Sequence, residues 1–194
     1  MATDPIITLE RLRADFQEPP VGHDDRLTEL ILVASNVIEK ICRQPIVKRS
    51  EAWQFSWRGN AQHTLDHHPV SDLTELRRFG GIAGGWIVID EDLYCLVQPA
   101  GVYTLLYDGG VQNGGLYEAT YAVGYDADDI PPIIAQICSE MVQVMYATSP
   151  INPEARPLDL ASRSTNMSGV GLTETQAFKD QMPRWREALD GFRL

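Results

Sequence analysis

Hydrophobic periodicity separates helical ends from a strand-rich middle. Residues 24–43 carry Leu27, Leu30, Ile31, Ala34, Ile38 and Ile41 at helical spacing, which puts one apolar stripe on a helix. Asp24 or Asp25 is placed to cap its start, and Pro45 ends it. Upstream, residues 4–18 read as a shorter helix, with Asp4 as cap, Pro5 at the first helical position and Pro19-Pro20 as the stop. A third helix, over 131–148, is apolar almost all round. Its polar residues Gln136, Ser139, Glu140 and Gln143 form one narrow stripe. Such a helix has to be covered on most sides, by its own fold or by neighbouring subunits.

Between the second and third helices the period changes. Segments 46–57, 62–67, 86–98, 102–107 and 115–123 are rich in β-branched and aromatic residues and partly alternate. Turn clusters separate them: Arg58-Gly59-Asn60, Gly80-Gly81, Gly84-Gly85, Asp108-Gly109-Gly110 and Asn113-Gly114-Gly115. The pattern predicts antiparallel strands joined by hairpins, with tips at 80–85 and 108–115. Residues 149–172 hold prolines, serines and glycines without periodicity and read as a linker arm. Beyond it, Phe178, Met182, Trp185, Leu189 and Phe192 make a heptad-like seam on a last amphipathic helix, about 173–190. Thr173 or Thr175 is placed to cap that helix, and Pro183 to kink or restart it. The seam either folds back on the body or docks on another chain.

The predicted class is therefore α+β: a helical bundle body (1–149, helices 4–18, 24–43 and 131–148, strands within 46–123) with an antiparallel strand insertion. The arm and C-terminal helix occupy 150–194. The length suits one domain with an appendage. Hydrophobic residues make up 44% of the chain, enough for a packed core. The net charge is −11, and residues 1–149 carry all the excess. An acidic body repels phosphate backbones, which disfavours a DNA-binding factor but suits a wall that DNA slides past. The start, MATDPIITLERL, does not read as a secretory signal. No apolar run approaches the about 20 residues that span a bilayer, so no membrane is expected.

The candidate chemistry is sparse. Cys42, Cys95 and Cys138 are far apart, lack any CxxC pairing and read as reduced core thiols. His63, Asp66, His67 and His68 are the best metal candidates. On a strand, however, i and i+4 stand about 13 Å apart, so a solvated turn is the expectation there. A metal-dependent hydrolase using His63, Asp66 and His67 stays as the competing enzyme reading. The clusters GGIAGG and DGGVQNGG lack GxxxxGK[ST] and read as hairpin turns. Asp126, Asp128 and Asp129 lack the Gly and closing Glu of a calcium loop and are expected to cap the third helix.

Three stretches resemble a known family. DDRLTELILVASNVIEKICRQPI has an acidic start, an Ala-Ser pair, an Ile-Glu, a Cys, and a basic residue before a proline. EATYAVGYDADDIPPIIAQICSEMVQVMY has a strand ending in Tyr-x-x-Gly-Tyr, an Ile-Pro step and a long apolar helix. The last helix carries Trp185-Arg186 and Leu189. Together they cover about half of the chain and are similar to the head–tail connector (head-completion adaptor) proteins of tailed bacteriophages. Residues 48–115 match only as generic strands.

The resemblance implies a non-enzymatic ring, typically of twelve copies, in the virion neck beneath the portal, assembled in the host cytoplasm. Such a ring joins capsid to tail, extends the DNA channel and holds no cofactor. The implied partners are the portal protein, a stopper or tail-completion protein, further copies of the chain, and passing DNA without specific binding. Phe178, Met182, Trp185, Arg186, Leu189 and Phe192 become candidate anchors on the portal or a neighbouring subunit, against the alternative of a helix packed on its own body. The tips Gly80, Gly81, Gly84, Gly85, Gly109 and Gly110 become candidates for reaching an adjacent subunit. A stopper or tail-terminator ring is the runner-up.

Overall fold

A computed structural model describes residues 4–16, 22–57, 62–65, 67–82, 84–97, 104–109, 115–148 and 176–193. Asp66, Gly110, the arm 149–172, Thr173 and Thr175 lie outside these described residues. The fold is α+β, with helices and antiparallel sheets. The chain divides into two compact units, one holding Met1–Arg43 and Ala127–Arg193, the other Gln44–Asp126.

The first unit is helical. It comprises α1 (Leu9–Asp15), α2 (Asp24–Cys42), α3 (Pro132–Ala147) and α4 (Gln176–Leu189), which continues into a 3-10 turn, Asp190–Phe192. Helix α1 is shorter than its pattern suggested. Its cap is Thr8, not Asp4, because the Thr8 hydroxyl accepts the Arg11 N–H. Residues 4–8, Pro5 among them, precede the helix, and Ile6 and Ile7 are buried there. Helix α2 starts after His23, which gives no side-chain cap; Asp24 and Asp25 lie inside the first turn, where the helix dipole favours them. Its stripe of Leu27, Leu30, Ile31, Ala34 and Ile38 is buried, and so is half of α3. Ser35 sits inside this packing, donating to the Ile31 carbonyl at 2.8 Å and accepting the Ile6 N–H at 3.0 Å.

The second unit is built of strands. It comprises β1 (Arg49–Ser56), β2 (Gln62–Thr64), β3 (Val70–Phe79), β4 (Trp86–Val88), β5 (Tyr94–Val97), β6 (Thr104–Tyr107) and β7 (Leu116–Val123). They form one sheet in the order β1-β7-β3-β4 and another in the order β2-β6-β5, with antiparallel neighbours throughout. Side chains of both sheets share one aromatic-rich core around Trp57, Leu76, Leu105, Tyr107, Tyr117 and Tyr121.

Two expectations change here. The longest strand, β3, had not been predicted, and the predicted strand 86–98 is interrupted by a 3-10 turn at Glu91–Leu93. The turn follows from Asp90, whose carboxylate accepts the Asp92 N–H and bends the chain. Strands β6 and β7 lie in different sheets, so the segment through Gly109 passes from one sheet to the other and is not a hairpin.

Candidate functional site

The seam on α4 is mostly an internal surface. Phe178, Trp185 and Leu189 are buried, and Met182 and Phe192 are half-buried. The rings of Phe178 and Trp185 meet edge to face at 5.1 Å. The Trp185 Nε1–H donates to Glu140 Oε2 on α3 at 3.1 Å, and Arg184 stands 3.6 Å from the other oxygen of that carboxylate. Helix α4 thus covers apolar surface that α2 and α3 leave open, and packs against both. In the folded protein Phe178, Trp185 and Leu189 face inward, which is the arrangement of a helix packed on its own body. Of the anchor candidates, Arg186 is exposed. Pro183 lies within α4, which runs through it.

The tip at 80–85 is a hairpin turn between β3 and β4. The Gly80 N–H donates to the Gly85 carbonyl at 2.8 Å, and the Gly85 N–H to the Gly81 carbonyl at 2.9 Å. Gly85 has φ +59, a left-handed conformation that a side chain disfavours. The turn holds Ile82 out, fully exposed. Ile87 and Val88 on β4 are exposed as well, so the hairpin presents apolar side chains to solvent.

His63 lies in β2, and His67 and His68 stand half-buried in a bend. His63 is stacked on Phe55 with ring centroids 4.0 Å apart. His67 lies 3.8 Å from the Trp53 ring, and its Nδ1 is 2.9 Å from the Tyr121 hydroxyl. Aromatic packing accounts for both imidazoles. Among the described residues, no three His, Cys, Asp or Glu side chains converge as metal ligands would.

Two thiols are buried and one, Cys95, is exposed, which corrects the reading of all three as core residues. Burial pushes the Cys138 thiol up to about 12. Burial and the neighbouring Glu39 charge push Cys42 up to about 11. Neither supplies a thiolate near neutral pH.

The acidic cluster before α3 also differs from expectation. The N-cap is Pro131, with no side-chain cap bond. Asp126 instead faces Lys48 at 3.5 Å, and Lys48 also pairs with Asp72 at 2.9 Å. Hydrogen bonding from Lys48 holds the Asp72 carboxyl below the ordinary carboxylate range. None of the helices is long and apolar enough to cross a membrane, among the described residues.

The fold is similar to that of chains from gene transfer agent particles. A chain from the virion of a native gene transfer agent particle matches with a TM-score of 0.58 and 17% identity, over 93% of this chain and 89% of that one. A chain from the neck of an empty particle, computed with C6 symmetry, matches with a TM-score of 0.56 and 19% identity, over 91% and 85%. A chain from the neck of a native particle, computed with C12 symmetry, matches with a TM-score of 0.53 and 16% identity, over 96% and 95%. No protein-family model and no curated protein matches the sequence.

Proposed function

We propose that this chain is a structural, non-enzymatic subunit of a virion neck: a head-to-tail adaptor whose copies form a ring beneath the portal. The ring joins capsid to tail and continues the DNA channel. The observation that carries this reading is the fold likeness to gene transfer agent chains, which spans nearly the whole of both partners. The C12 symmetry of one such neck supports a ring of twelve. The sequence resemblance to connector proteins supports the same reading independently, since it rests on Asp24–Ile46, on Glu118–Tyr146 and on the last helix with Trp185, Arg186 and Leu189.

The composition agrees. Net charge −11 makes a surface that phosphate does not adhere to, so DNA passes unbound. Portal and stopper or tail-completion proteins are the partners, and the exposed residues of α4, Arg186 among them, are available to the first of these. A cationic, exposed arginine is a common anchor at such contacts.

Light scattering of the purified chain, with and without its portal, tests the reading. A ring-sized complex that forms with portal supports it. A chain that stays at monomer mass beside a competent portal refutes it.

A further inference from the structure

The four-stranded sheet ends in two strands, β1 and β4, that each pair on one side only among the described residues. Main-chain bonds show which groups face outward. The Ile89 N–H donates to the Leu76 carbonyl, and the Gly85 carbonyl accepts from Gly80. Residues 85, 87 and 89 therefore bond inward to β3, which turns the N–H and C=O of Trp86 and Val88 to the open side. On β1, the Trp57 N–H donates to the Gly115 carbonyl, in register with Phe55↔Tyr117 and Trp53↔Ala119. The outward groups there belong to Ser50, Ala52, Gln54 and Ser56.

Open edges of soluble proteins are ordinarily guarded by shortness, charge, proline or bulges, and of these β4 shows shortness. Neither outward row here carries a charged side chain or a proline. Val88 is 61% and its neighbour Ile87 43% exposed, and with Ile82 at the turn they line this end of the sheet with apolar side chains.

The two edges are complementary. Each neighbour in the order β1-β7-β3-β4 is antiparallel, so β4 runs opposite to β1. A β1 laid beside β4 continues the alternation. The faces agree too. Val88 stands opposite Arg77, Arg77 opposite Glu118 and Glu118 opposite Gln54, so all four share one face. Bulky Trp86 and Val88 would meet small Ser50 and Ala52. The edges lie at opposite ends of one sheet, so the β1 that meets β4 belongs to another copy. Two different surfaces in contact make a head-to-tail interface, the kind that closes into a ring.

The geometry points to β4 of one copy pairing antiparallel with β1 of the next, joining the four-stranded sheets edge to edge around the ring. This rests on the ring reading above and names its subunit contact.

Cysteine pairs test it. Exposed Cys95 is first replaced (Cys95→Ser). Val88→Cys is then combined in turn with Ser50→Cys, Ala52→Cys and Gln54→Cys, and each protein is assembled on portal and oxidised. The expected result is a ladder of covalent oligomers beyond dimer for at least one pairing, and none for single-cysteine controls. Val88→Pro adds a second readout, because the Val88 N–H points away from β3 and its loss spares the internal ladder. That variant should melt like the parent yet stay at monomer mass beside portal. Should it misfold, the cysteine pairs decide. A ring-sized mass with no ladder from any pairing overturns the edge contact and leaves the ring reading standing. A parent chain that never reaches ring mass removes both.

Discussion

Replacing Trp185 with alanine removes the largest side chain that α4 buries. The indole is 1% exposed, packs edge to face on Phe178 and donates to Glu140. Emptying a buried tryptophan site costs about 3–5 kcal/mol. Trp185→Phe separates the parts. It keeps most of the packing and loses the Nε1–H bond. A bond to a charged acceptor is worth about 1.5–3 kcal/mol when dry. The Glu140 side chain is 28% exposed, so water recovers part of that. The loss for Trp185→Phe is then about 1 kcal/mol. Urea unfolding followed by circular dichroism reads both. With a slope of about 2 kcal/mol/M, Trp185→Ala lowers the midpoint by about 2 M and Trp185→Phe by about 0.5 M. Glu140→Gln combined with Trp185→Phe should be less than additive, since both remove one bond. A Trp185→Ala protein whose midpoint moves by less than about 0.3 M, yet which no longer joins its portal, would put the indole on a partner and refute the internal seam.

Three further outcomes follow from the same packing. A thiol reagent should label Cys95 at once, and Cys42 and Cys138 only as the protein unfolds, read as one fast equivalent and two that track the melt. Because folding raises both buried thiols above 9.0, to about 11 and about 12, their contribution is complete below pH 9. It drains away as pH climbs through 11 and 12, and the midpoint should fall over that range. Gly124→Ala should destabilise by about 2 kcal/mol or more, since φ is +107 and a Cβ there would stand 2.8 Å from the Ile46 carbonyl oxygen; thermal melting measures it. Asp72 is held below its ordinary value of 3.8, so its pairing with Lys48 helps above that pH and is lost as pH falls through the lower folded value. Asp72→Asn should flatten that acid limb of a stability-versus-pH curve.

The helices were legible because their apolar positions repeat. The stripes on α2 and α3 can be read within one residue of their observed bounds, and the seam on α4 within one residue of its observed end. Strand β3 was not legible, for a physical reason. Val70, Leu73 and Leu76 sit three apart among charged residues, a spacing that fits neither strand nor helix well. The register shift between Ser71 and Glu75 is what lets them fit a sheet. The assignment of strands to two sheets was equally hidden, because a glycine cluster marks a turn without saying which strands it joins. For the seam, periodicity identified the residues but not the surface they meet. That depended on apolar area left open by α2 and α3, a tertiary quantity. The edge positions on β1 and β4 carried no signal in the sequence, because only the hydrogen-bonding register shows which side of a strand is unpaired.

The β unit begins and ends at one place. The Lys48 N–H donates to the Tyr125 carbonyl, and the Tyr125 N–H to the Ile46 carbonyl, so the two ends of the insertion are stitched together where it leaves the helical unit. Gly124 is the crossing point that lets those strands approach. A segment whose ends are already tied can be exchanged as a cassette: lengthened, shortened or replaced while α2 still leads into α3. The inserted sheets can therefore be changed to suit a new neighbour with the helical frame left untouched.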